Sequence, residues 1–132
     1  MPNGPNVLER LQREYTVAYK GRLDKYRNAR ILFSIITRDG YILLVNPYWQ
    51  DALGHDPAYL HFRSLFTLVP DSERERLLHA FALADTTEVN ETVFHFGHKE
   101  GYAVTCLCWL SRWVEKSSGV YVATLTAVVC DE

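Results

Sequence analysis

The chain has 132 residues, 48% of them hydrophobic and 13% aromatic, with a formal net charge of -2. That suffices for one small domain with a single core. No apolar run approaches the roughly 18 residues of a membrane-spanning helix, and the N-terminus lacks the hydrophobic region of a secretory signal. A slightly acidic balance argues against a nucleic-acid surface. The expectation is a cytoplasmic protein that engages neither membrane nor nucleic acid.

The first five residues hold two prolines and a glycine. From residue 6 to about 27 apolar and aromatic residues recur at helical steps: Leu8, Leu11, Tyr15, Ala18, Arg22 and Tyr26, with Val7, Tyr19 and Leu23 beside them. Charged residues fill the other face, so the segment predicts an amphipathic helix. Its stripe must cover this domain's own sheet or pack on a second copy.

Residues 31–38 and 41–45 read as a β-hairpin around Asp39-Gly40, the strongest short-range hairpin signal. A two-residue type I′ turn would pair Thr37 with Ile42, Ile35 with Leu44 and Phe33 with Asn46. Asn46 would then cap a short helix opening at Pro47 and closing at Gly54 in the left-handed conformation. Short helical pieces follow over 57–60 and 63–66. A longer helix over 72–83 starts after Pro70, with Asp71 or Ser72 as cap and Glu73 and Glu75 as first-turn carboxylates. Three runs rich in Val, Thr, Tyr, Phe and Trp close the chain at 91–97, 102–113 and 119–130, each suited to a strand. Cys106, Cys108 and Cys130 lie in these runs. Their odd number makes a poor disulfide framework, and they read as small reduced core residues rather than metal ligands.

The sequence of landmarks is more specific than any one of them. Asp39-Gly40-x-Ile42-x-x-x-Asn46, Leu53-Gly54, Leu68-Val69-Pro70-Asp71, the stretch from Phe94 to Gly101 and the closing Ala127-Val128-Val129-Cys130-Asp131 together resemble a PAS domain, the small sensory module of signalling proteins. Glu100 replaces the family's usual Asp, and the Asp-Ile-Thr ending is cut short. The resemblance implies an α+β fold: a five-stranded antiparallel sheet, short helices on one face, an N-terminal amphipathic helix over residues 1–28 and the PAS-like domain over 29–132. It also implies a non-catalytic sensory or dimerisation module of a signalling or transcription-control protein, coupled to an output domain or a partner signalling protein.

If Ile42 faces inward, as the resemblance implies, Leu44, Asn46, Phe33 and Ile35 share that face. By the same alignment so do Phe94, Phe96, Cys106, Cys108, Leu110, Leu125 and Ala127. A small-molecule ligand would then sit among Phe33, Ile35, Leu44, Asn46, Tyr48, Trp49, Phe66, His79, Phe94, Cys108, Leu125 and Ala127. Ala123 and Ala127 would leave it room; the same aromatic side chains also suit a plain core. The opposite face, with Leu32, Ile36, Leu43, Val45, Leu107, Trp109, Trp113, Val120, Val122 and Val128, is too apolar for water. It predicts a homodimer through Leu8, Leu11, Tyr15, Tyr19, Tyr26, Trp109 and Trp113.

The resemblance raises cofactors as well. Light-oxygen-voltage domains carry a cysteine in a Gly-x-Asn-Cys-Arg-Phe motif, whereas this chain reads His61-Phe62-Arg63-Ser64-Leu65-Phe66, so a cysteinyl-flavin site is not expected. Non-covalent flavin stays open. Haem-sensing PAS domains place a histidine on the long helix, and His79 is the residue that would serve as axial ligand. His55, His61, His95 and His98 read as surface or loop residues. A PAS fold used for protein–protein contact without any ligand is the remaining alternative.

Overall fold

The computed structural model describes residues 4–86, 89–117 and 119–130; within the N-terminal helix it describes the side chains of residues 7–21. The elements are α1 (Gly4–Ala29), β1 (Ile31–Thr37), β2 (Ile42–Val45), α2 (Tyr48–Leu53), α3 (Pro57–Leu60), α4 (Arg74–Leu83), β3 (Val89–Gly97), β4 (Ala103–Ser111), β5 (Val114–Ser117) and β6 (Val120–Val129). The antiparallel sheet runs β2-β1-β6-β4-β3, and β5 pairs with β6 beyond the end of β4. Six strands form where five are expected, because the run 102–113 breaks at Arg112-Trp113 and pairing resumes as β5.

The hairpin turn is wider than a type I′ turn. Gly40 alone among its central residues has positive φ, at 96°. Gly40 N–H donates to Thr37 O at 2.9 Å, and Thr37 N–H donates to Tyr41 O at 2.9 Å. This is the three-residue pattern in which a left-handed glycine ends a tight turn. The strands then pair Ile36 with Ile42 and Ile35 with Leu44, with a bulge between the two pairs. An extra residue on β2 reverses which side its chain presents. Ile42 therefore faces the helical layer, while Leu43 and Leu44 both pack on the far side.

Two apolar layers result. Between sheet and helices α2–α4 lie Leu32, Ile36, Ile42, Trp49, Leu53, Phe81, Phe94, Phe96, Cys108, Leu125 and Ala127. On the outer face Leu8 and Leu11 of α1 cover Phe33, Ile35, Leu43, Leu44, Val120 and Val122, with Tyr15, Tyr19 and Phe62 at the margin. Each buried leucine of α1 contributes about 1.5–3 kcal/mol by leaving water. Ala18 is exposed and Val17 is 80% exposed, so the stripe is narrower than its spacing suggests.

Helix termini depart from expectation in two places. Asn46 does not cap α2, whose N-cap position is Pro47 without a side-chain bond. Asn46 instead turns sideways to β1, as described below. The expected helix over 72–83 divides into a 3-10 turn at Asp71–Glu73 and α4 proper, with Pro70 rather than Asp71 or Ser72 at the leading cap position. Gly54 behaves as read, at φ 76° with its N–H on Gln50 O.

Candidate functional site

The residues expected to line an inner cavity divide between the two faces. Trp49, Phe94, Cys108, Leu125 and Ala127 come together on the inner face, each at most 3% exposed. Tyr48 and Phe66 pack against them at the margin. Phe33, Ile35 and Leu44 lie on the opposite face, under α1. The bulge explains Leu44, and strand alternation from the inward Leu32 and Ile36 explains Phe33 and Ile35.

Asn46 is fully buried between the layers. Its Oδ1 accepts Phe33 N–H at 3.0 Å and its Nδ2 donates to Ile31 O at 2.7 Å. Its side chain is thus engaged on β1. Trp49 Nε1–H donates to Phe33 O at 3.0 Å, satisfying its one polar atom in the same place.

His79 projects from the exposed side of α4, whose buried residues are Leu77, Ala80 and Phe81. It does not face the sheet and cannot meet a ligand held there. The thiols on the inner face do not replace it: burial pushes Cys106 up to about 12, with Cys130 adding to the effect, and burial raises Cys108 as well. Both stay protonated at neutral pH and ligate a metal poorly. Aromatic side chains occupy the layer, with Trp49 and Phe96 at 5.9 Å and Phe66 and Phe81 at 5.3 Å between ring centroids. The clefts lined by Ile42 and His61, by Tyr15 and Val122, by His55 and Tyr59, and by Thr67 and Tyr102 open elsewhere and are not lined by Trp49, Phe94, Cys108, Leu125 or Ala127. With His79 turned outward and both thiols protonated, these inner-face residues offer haem iron no ligand. No group of three or more His, Cys, Asp and Glu side chains suited to a metal lies among the described residues.

The expected dimer residues also separate. Leu8 and Leu11 are buried against their own sheet, and Tyr15 and Tyr19 are half-buried, stacked at 6.0 Å. Tyr26 lies outside the described side chains. Trp109 remains on the outer face, half-buried, its Nε1–H on Glu91 Oε1 at 3.0 Å. Trp113 does not: the break at Arg112 turns it inward, where it donates to Phe81 O at 2.8 Å and meets the Phe81 ring edge-on at 5.0 Å.

Several polar residues matter more than their sequence context signals. Glu73 is buried, not a solvated first-turn carboxylate; it accepts from His95 N–H at 2.8 Å, contacts the His95 ring, and pairs with Arg76 at 3.5 Å. Arg76 in turn reaches Val93 O and lies 4.6 Å above the Phe94 ring. This network ties the start of α4 to the edge strand β3. His55, expected at the surface or in a loop, lies in the loop between α2 and α3 but is 8% exposed, with Nε2 bonded to Gly97 O at 2.8 Å and its ring stacked on Tyr59.

No protein-family model matches the chain, and no curated protein matches it in sequence. Solved structures do match its shape. The PAS domain of an HTR-like protein from Haloarcula marismortui superposes with a TM-score of 0.70 at 15% identity, covering 86% of this chain and 97% of that one. A PAS domain from a two-component sensor histidine kinase gives 0.68 at 12%, over 88% and 99%. A variant of the Drosophila melanogaster Cycle PAS-B domain with bound glycerol gives 0.67 at 12%, over 75% and 99%. The chain has the PAS fold.

Proposed function

We propose that this chain is a non-catalytic, cytoplasmic sensory and dimerisation module that passes a change in the docking of α1 to an output domain or partner of a signalling or transcription-control system. Structural likeness to PAS domains, one of them from a sensor histidine kinase, supports the signalling role. No helix among the described residues is long and apolar enough to cross a membrane, which agrees with a cytoplasmic setting.

One observation carries the reading: α1 covers only part of the outer face. Leu8 and Leu11, with Tyr15 and Tyr19 at the margin, pack on Phe33, Ile35, Leu43, Leu44, Val120 and Val122, while Leu107, Trp109 and Val128 of the same face lie outside that cluster and stay half-buried. They give a second copy apolar surface to bind. A helix docked on its own sheet beside such a contact can shift between two arrangements, as switching elements do.

Sedimentation velocity tests this. The full chain should dimerise at micromolar concentration, and Leu107→Arg should weaken the dimer about tenfold or more by placing two guanidinium groups in an apolar contact. A wild-type chain that stays monomeric at high micromolar concentration would overturn the dimer.

A further inference from the structure

The interruption between β4 and β5 builds a polar cleft on the outer face. At Ser111 the side-chain Oγ accepts Thr124 N–H at 2.9 Å, taking the place of a ladder bond. The chain then crosses Arg112 and Trp113 before Val114 pairs with Val122. Because Trp113 turns into the core, Arg112 is left outside, and Lys116, the extra residue where the β5 register shifts, lines the same cleft as Val114. Tyr15 and Tyr19 of α1 form the facing wall. Ile35 and Val122, both buried, form an apolar floor. The cleft is open to solvent and has a volume of about 130 Å³.

Its chemistry is one-sided. Neither Arg112 nor Lys116 has an ion-pair or hydrogen-bond partner among the described residues. The neighbouring carboxylates are engaged elsewhere: Glu115 accepts Gly119 N–H at 3.0 Å, and Glu14 pairs with Arg10 at 3.9 Å. The Tyr15 hydroxyl is pushed up to about 12 by burial, with Tyr19 and Glu14 adding to it, so it remains a donor. We propose that this cleft between α1 and β5–β6 binds a small organic anion, a carboxylate carrying a short apolar or aromatic body. The carboxylate meets the Arg112 fork and the Lys116 ammonium, both of which donate and neither of which accepts. The body lies on Ile35 and Val122 between the tyrosine rings. The volume is well below the roughly 300–1,000 Å³ of drug-sized sites, which excludes nucleotides and selects small acids. Binding here would fasten α1 to β5; that such fastening is a signal rests on the sensory reading above.

Benzoate is the probe, with benzamide as its uncharged counterpart, followed by amide NMR shifts in the full chain. Benzoate should move the amides of Ile35, Arg112, Val114, Lys116 and Thr124 saturably, and benzamide should bind about tenfold more weakly or worse. Arg112→Ala and Lys116→Ala, both at exposed positions, should each weaken benzoate about fivefold to tenfold with unchanged melting temperatures, and Lys116→Arg should restore most of it. Absence of shifts at millimolar benzoate, equal binding of benzamide, or shifts centred away from these amides would overturn the site. A null result there with an intact dimer removes the site and leaves the sensory reading standing. Saturable binding that leaves hydrogen exchange in α1 unchanged keeps the site and removes its part in signalling.

Discussion

Asn46 and Phe33 hold each other by both backbone and side chain. Asn46 N–H donates to Phe33 O at 3.0 Å, and Phe33 N–H donates back to Asn46 Oδ1 at 3.0 Å. The Nδ2 donates onward to Ile31 O at 2.7 Å. One buried side chain thus satisfies a donor and an acceptor of β1 where β2 ends. Asn46→Ala should cost about 2 kcal/mol in a urea melt, since it leaves a buried backbone N–H and a part-buried carbonyl without this partner. Asn46→Asp should cost at least as much at neutral pH, because a carboxylate would face the Ile31 carbonyl. Burial beside that carbonyl would raise the carboxyl's folded-state pKa above its unfolded value. The variant should therefore recover stability as pH falls and lose it as pH rises. A residue acting as a helix cap predicts the reverse, with Asp tolerated; equal melts for wild type and Asn46→Asp would restore the capping role.

The hairpin, the glycine-closed α2 and, through the resemblance, the inner faces of β3, β4 and β6 are legible, because alternation runs unbroken along those three strands: Phe94 and Phe96, Cys106 and Cys108, Leu125 and Ala127 all point inward. Alternation fails where one residue is added or dropped. The bulge opposite Ile35 and Ile36 sends Leu44 outward, and the break at Arg112 sends Trp113 inward. Neither leaves a mark in an apolar pattern, since Leu43 and Leu44 are alike and Trp suits both faces. Ser111-Arg112, a polar pair inside an apolar run, was the available sign of the second. The burial of Glu73 had no such sign: its partner His95 is 22 residues away on another element.

Burial governs the thiols. Cys106 and Cys108 are 0% exposed, while Cys130 is half-buried. In native protein an alkylating reagent should modify Cys130 far faster than the other two, and all three in denaturant. Because the Cys106 thiol rises from 9.0 to about 12, the folded state keeps a proton that the unfolded chain releases earlier. The stability this contributes is fully present below about pH 9 and declines as pH climbs towards 12. Tyr15, raised from 10.0 to about 12, acts in the same sense above pH 10. Base-induced melting curves for Cys106→Ser and wild type that run parallel across this window would remove the thiol's share.

Trp113 supplies a direct measure of the strand break. Its indole N–H takes the Phe81 carbonyl at 2.8 Å near the C-terminus of α4, where carbonyls lack helical partners. Trp113→Phe should keep most of the packing and lose about 1 kcal/mol. Trp113→Ala should cost about 3–5 kcal/mol. If Trp113 stood on the outer face instead, both changes would be nearly silent in the monomer and would act on dimerisation alone. The indole N–H signal that disappears in Trp113→Phe offers an independent check, since a buried, hydrogen-bonded indole exchanges slowly with solvent.

Whether α1 covers its own sheet is decided at Leu11. The side chain is 2% exposed and belongs to the cluster of Phe33, Ile35, Leu43 and Val122. Leu11→Ala should lower stability by about 2–4 kcal/mol through lost burial and a residual cavity. That loss should not depend on protein concentration, because the contact lies within one chain. A helix exchanged onto a second copy would make the same contacts, but the Leu11→Ala penalty would then follow protein concentration by mass action. Urea melts of wild type and Leu11→Ala at low and high protein concentration separate the two. A Leu11→Ala penalty seen only at high concentration would place Leu11 in the dimer contact and release α1 from its own sheet.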